Sequence, residues 1–141
     1  MLVDANILLY AVNESSPKHT KAKRWLEDAL NGERRVGIPW VSYWAFLRIA
    51  TNARALTHPL SAATAWSAVT AWLDAPASWV PEPGSGHSLI LRELIKAHDI
   101  RGGLTSDAVL AALCIEYGLS VVSNDSDFAR FPEIEWLNPL A

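Results

Sequence analysis

The sequence predicts an α/β protein: a single α/β/α sandwich over residues 1–141 with a mostly parallel central sheet. Short apolar runs alternate with helix-patterned stretches along the whole chain, as expected for strands joined by helical crossovers. Pro and Gly punctuate the junctions, and no repeat, low-complexity tract or long linker divides the chain. Four aspartates (Asp4, Asp107, Asp125 and Asp127) stand where strands end or helices begin. In an open α/β sheet that is the edge at which ligands bind.

Each element has its own reason. Met1–Val3 is apolar and short enough for a buried strand, and Asn6–Val12 is a brief helix directly after Asp4. Ser16-Pro17 predicts a capping residue followed by proline at the first helical position. The helix beyond it carries Ala22, Trp25, Leu26, Ala29 and Leu30 on one face and stops near Gly32. Val36–Ile38 is a second strand, ended by Pro39, and Val41–Thr51 is helical. Ser61 caps a helix over Ala62–Leu73, where Ala65, Trp66, Val69 and Trp72 form an inward stripe. Trp79-Val80 is a third strand, Pro81 to Gly86 a loop, and Leu89–Ala97 a helix. Gly102-Gly103 breaks the chain before a helix opened by Asp107, which is apolar almost all round and therefore central. Gly118 ends it, Leu119–Ser123 is the fourth strand and Glu135–Leu137 a fifth.

Composition narrows the class. Half of the 141 residues are hydrophobic and 19% are charged, which suits a packed core and excludes disorder. No apolar stretch approaches the roughly 18 residues of a membrane span. Asp4 interrupts the first apolar residues, so no signal peptide is expected. Cys114, the single cysteine, lies among Ala111, Ala112, Leu113 and Ile115 and reads as a small buried hydrophobe. A cytoplasmic, disulfide-free protein with no membrane association is the expectation. Net charge is −3, but it is polarised. Lys18 to Arg54 holds eight basic residues against three acids, and Asp99 to Ala141 holds two against seven. That polarity fits an acidic metal site with a basic rim for phosphates, and equally a pair of solvated helix faces.

The acidic cluster carries the chemistry. Carboxylates that meet at one sheet edge repel unless a cation or a proton neutralises them, and an all-oxygen donor set favours Mg²⁺ or Mn²⁺. Asp4 and Asn6, two apart at a strand-to-helix junction, suit a ligand and a group that orients it. Each aspartate also has a plain structural role open to it: helix capping for Asp4 and Asp107, an Asx turn for Asp125 and Asp127. Arg48 is placed to reach a phosphate or to pair with a site aspartate. Lys18, Lys21 and Arg24 form one helical row, either a guide for a polyanion or a solvated face. His19, His58, His87 and His98 fall in loops or at helix ends, and none is placed as an obvious base. Trp25, Trp66 and Trp72 read as packing residues, while Trp40 and Trp44 suit either the core or a partner groove.

Taken together, Leu2-Val3-Asp4-Ala5-Asn6, Phe46-Leu47-Arg48-Ile49-Ala50-Thr51-Asn52, Thr105-Ser106-Asp107-Ala108 and Ser123-Asn124-Asp125-Ser126-Asp127-Phe128-Ala129-Arg130-Phe131-Pro132 resemble, in order and over nearly the whole chain, the PIN-domain ribonucleases. The likeness is specifically to VapC toxins of type II toxin–antitoxin pairs. It implies a PIN-like sandwich and an endoribonuclease that hydrolyses RNA phosphodiester bonds with a Mg²⁺- or Mn²⁺-activated water. It further implies a homodimer inhibited by a small cognate antitoxin. By position, Asp4, Asp107 and Asp125 would be catalytic metal ligands, Asp127 a further ligand or outer group, and Asn6 and Ser123 their supports. One departure is plain: many relatives place a glutamate where Ala45 stands here. A degenerate domain that binds RNA or a protein partner without cutting is the alternative. A phosphoacceptor or dehalogenase-like phosphatase fits poorly, because both need a late lysine and the last one here is Lys96.

Overall fold

The computed structural model describes residues 1–141. Its elements run β1 (Leu2–Val3), α1 (Ala5–Val12), α2 (His19–Leu30), β2 (Val36–Gly37), α3 (Trp40–Ala50), α4 (Ala62–Asp74), β3 (Ser78–Trp79), α5 (His87–His98), α6 (Leu104–Tyr117), β4 (Val121–Val122), a 3-10 helix (Ser126–Arg130) and β5 (Trp136–Leu137). The five strands form one sheet in the order β3-β2-β1-β4-β5, and every pairing is parallel. Sheet and helices together make the α/β/α sandwich that the alternating pattern predicts.

Period-two geometry lets two-residue strands serve two cores. Val3, Val36 and Val122 join the apolar cluster formed with α1 to α4. Leu2 and Val121 turn to the opposite face, into the cluster formed with α5, α6, Phe128 and Phe131. Adjacent residues on a strand point to opposite faces, so a Leu-Val or Val-Val pair seals both sides at once. Helix α6 buries Ala108, Leu110, Ala111, Ala112, Leu113 and Cys114, as its all-round apolar pattern requires. Gly118 then ends it in the left-handed conformation, at φ 66°. At Gly37 a Cβ would lie 2.7 Å from Pro81 Cγ and 3.3 Å from Met1 O, so only glycine lets β2 and the β3–α5 loop approach.

Strand order places the site. The chain leaves β1 toward β2 and β3 on one side and returns through β4 to β5 on the other. The carboxyl ends of β1 and β4 therefore flank the point where strand order reverses. Leu2 pairs with Val121 and Val3 with Val122, so Asp4 and Ser123 emerge side by side. No helix is long and apolar enough to cross a membrane.

Three local expectations are corrected. Ser16 does not cap α2: its hydroxyl accepts from Lys18 N at 3.1 Å and its carbonyl from His19 N at 3.1 Å, making a turn before a helix that starts at His19. The α6 helix opens at Leu104, three residues earlier than expected, and Asp107 lies in its first turn as expected. Trp66 is 50% exposed, although its stripe partners Ala65 and Val69 are fully buried. Its neighbour Trp72 does reach the core, meeting Phe46 edge-on at 4.9 Å.

Candidate active site

Asp4 sits in a prepared seat. It caps α1 in an extended conformation, with Oδ1 accepting from Ala5 N at 2.7 Å. Its Oδ2 accepts from Ser123 Oγ at 2.8 Å and from Asn6 Nδ2 at 3.2 Å. The Ser123 hydroxyl is fully buried and fully used. It donates to Asp4 and accepts from Asn6 Nδ2 at 2.9 Å and Asp125 N at 3.0 Å. Asn6 Oδ1 accepts from Asn124 N at 3.2 Å, tying α1 to the loop after β4. Burial pushes the Asp4 carboxyl above its ordinary range, the Ser123 and Ala5 donors oppose that shift, and the Asp125 charge adds to it.

Asp107, Asp125 and Asp127 make the open part of the site. Each offers a carboxylate oxygen, and these lie within 4.8 Å of one another. Asp107 projects from the first turn of α6. Asp125 caps the 3-10 helix by accepting from Asp127 N at 2.9 Å. Asp107 is pushed up to about 7, first by burial and then by the charges of Asp4, Asp125 and Asp127. The Arg130 guanidinium pulls in the other direction, and it stands 3.5 Å from Asp127 Oδ1. Asp4 lies outside the trio yet close enough for its charge to raise Asp107. Carboxylate oxygens that approach this closely suit a hard divalent cation, so the donor set fits Mg²⁺ or Mn²⁺ chemically.

The remaining expected residues sort themselves by contact. Arg48 is exposed on α3 and forms no ion pair, so the expectation that it could pair with a site aspartate is not met. Ala45 is half-buried, and no glutamate joins the group of Asp107, Asp125 and Asp127. Glu14 is exposed in the α1–α2 loop, and Glu116 is held by His87 Nδ1 at 2.7 Å and Gly84 N at 2.9 Å. His98 binds Glu133 at 2.6 Å, His19 donates to Tyr10 O at 2.9 Å and His58 lines a cleft with Val12 and Leu60, and no histidine joins the acidic trio. Of the basic row, Lys18 lies over the Tyr10 ring and Lys21 bonds Ala141 O at 2.9 Å. Trp40 packs on Tyr43 at 5.3 Å, whereas Trp44 is 64% exposed beside an apolar groove lined by Pro39, Trp40, Val41, Pro81, Val109 and Leu113.

Three contributors escape a sequence reading. Ser42, buried on α3, donates to Val3 O at 2.7 Å and fixes the strand that carries Asp4. Trp136 Nε1 donates to Ser123 O at 2.9 Å. Arg130 is the third. The Ser-Asn-Asp-Ser-Asp run could have suggested it, since an arginine three residues after Asp127 on a helical turn faces it.

The family described as PIN domain matches residues 1–134. The chain belongs to the PIN-domain family. Similar relatives include Ribonuclease VapC37 of Mycobacterium tuberculosis, 43% identical, with 99% of this chain and 97% of that protein covered. Ribonuclease VapC33 of the same species is 40% identical over 99% of this chain and 98% of its own length. Among solved structures, the PIN fold here superposes on VapBC2 from Rickettsia felis, bound to a promoter DNA fragment, with a TM-score of 0.71, 16% identity and coverage of 97% and 96%. It also superposes on the sarcin–ricin-loop-cleaving toxin VapC20 of M. tuberculosis, with a TM-score of 0.70, 19% identity and coverage of 93% and 94%.

Proposed function

We propose that this PIN domain, acting as one unit over residues 1–141, is a divalent-metal-dependent endoribonuclease and the toxin of a toxin–antitoxin pair. The observation that carries the reading is the convergence of the Asp107, Asp125 and Asp127 carboxylates beside Asp4 at the switch point of a parallel sheet. Full-length relatives at 36–43% identity that are named VapC ribonucleases support it. Asp107, Asp125 and Asp127 would hold the cation, Mg²⁺ or Mn²⁺. Asp4, expected from the sequence to be a ligand in place of Asp127, stands outside that trio but near enough to act on Asp107 and to join it in holding the ion. A bound divalent cation supplies an activated water and neutralises charge gathering on the phosphoryl oxygens. The protein's own part is to hold this geometry. Ser123 and Asn6 fix the Asp4 carboxylate, Asn124 locks the loop to α1, and the buried edge of β1 and β4 excludes water from behind.

The partners follow from the same reading: an RNA substrate, a small cognate antitoxin that silences the enzyme, and a second copy of the chain in a homodimer. The one cysteine is buried and unpaired, in keeping with a cytoplasmic protein. Sequencing of RNA 5′ ends after induced expression, with parallel cleavage assays in EDTA, tests the activity. Discrete new ends that vanish on chelation are expected; ends identical in an Asp107→Asn strain would count against a nuclease.

A further inference from the structure

We infer that Arg130 is a phosphate-binding residue of this site, which neutralises Asp127 until a metal and an RNA backbone arrive. The inference rests on the proposed metal-dependent ribonuclease reading. Arg130 is the one Lys or Arg that pairs with any of the four site aspartates. Two of its nitrogens are engaged locally: Nε donates to Asp127 O at 3.2 Å and Nη2 stands 3.5 Å from Asp127 Oδ1. Nη1 makes no hydrogen bond within the protein, and 38% of the side chain faces solvent. Asp127 is therefore shared. One of its oxygens lies within 4.8 Å of the Asp107 and Asp125 oxygens, while the residue pairs with the guanidinium. A phosphodiester held against a cation on the trio would bring an anionic oxygen within reach of that guanidinium, and a planar fork is suited to grip it. A half-exposed ion pair three residues apart in sequence contributes little to folding, so stability does not account for the placement. Electrostatics supply the rest: a cation entering the trio competes with Arg130 for Asp127, and an entering phosphate offers Arg130 a replacement anion.

Purified full-length protein and its Arg130→Gln and Arg130→Lys variants test this. Mn²⁺ alone is titrated calorimetrically, and a single-stranded, uncleavable 2′-O-methyl RNA is titrated by fluorescence anisotropy across a range of salt. Arg130→Gln is expected to bind Mn²⁺ about as tightly as the parent or several-fold more tightly. It is expected to bind the RNA roughly tenfold more weakly, with the salt slope reduced by about one. Arg130→Lys should regain the slope. A helix-end role alone would shift the melting temperature and leave RNA affinity and slope untouched, and that result overturns the inference. A parent that takes up no Mn²⁺ overturns the metal reading itself, which is a different outcome from normal Mn²⁺ uptake with RNA binding unaffected by Arg130→Gln.

Discussion

Asp4 and Asp107 are both half-buried acids with carboxyls pushed above their ordinary range, and they are built in opposite ways. Asp4 takes bonds from Ala5 N, Asn6 Nδ2 and Ser123 Oγ, and the Ser123 and Ala5 donors offset part of the upward push that burial gives it. Asp107 is raised by burial and by three neighbouring aspartates, with the Arg130 charge as the only relief. The first is a finished piece of architecture. The second is an unmet electrostatic demand that a cation can satisfy. The difference teaches that two acids of one candidate site, both raised by burial, can be held by different means: one by the protein's own donors, the other with only a neighbouring guanidinium.

Asp107→Asn gives the largest effect. It keeps the side chain's shape and removes a charge from the trio. A drop in RNA cleavage on the order of a thousandfold is expected, since metal-site charge supplies several kcal/mol of transition-state stabilisation. The melting temperature of the metal-free protein should stay level or rise as repulsion is relieved. A large loss of stability would break the contrast with Asp4. Ser123→Ala strikes the other side. It strips Asp4 of a donor and leaves Asp125 N unpaired, so it should destabilise the fold by about 1–3 kcal/mol in denaturant melts.

A gentler test uses pH. Asp107 titrates near 7 in the folded chain and near 3.8 when unfolded, so between those values the folded state holds the extra proton. Its contribution to stability is therefore greatest below about pH 4 and is lost as pH rises through 7. Thermal melts of the metal-free protein should show this decline, and millimolar Mn²⁺ should erase it above pH 7, because binding to the native state replaces the proton. A decline that Mn²⁺ leaves intact would separate the titration from the metal site. The smallest effect on this titration is expected for Asp127→Asn, which removes the least of the three aspartate charges acting on Asp107 and should move that group's midpoint downward in a carboxyl-resolved NMR titration.

Most of the fold was legible because its signals are local. Ser61 does cap α4, accepting from Thr64 N at 3.1 Å, and Gly118 does end α6. The alternation of apolar and helical stretches specified the sandwich, though strand order could come only from three dimensions. Ser16-Pro17 misled because Ser16 has a competing turn, with its hydroxyl taken by Lys18 N two residues on. Trp66 misled because a stripe drawn at helical spacing has edges, and this residue, 50% exposed, extends past the buried strip. At the site, strand-end aspartates announce a shared edge, and the trio of Asp107, Asp125 and Asp127 assembles there with Asp4 beside it. Which oxygens come closest depends on the turn after β4. Ser42 and Trp136 were invisible because each acts through a backbone carbonyl, Val3 O and Ser123 O, and sequence spacing says nothing about that geometry.

The two apolar clusters have a mechanical consequence. Asp107 is carried by the layer of α5 and α6, whereas Asp4 and Asp125 follow strands whose valines also anchor the layer of α1 to α4. The distance between acids is thus a gauge of how firmly two helical slabs grip a ribbon only two residues deep. Softening either slab, by heat or by a cavity far from the acids, would spread the jaws before the chain unravels. Such an enzyme should fall silent on warming while its helices are still intact.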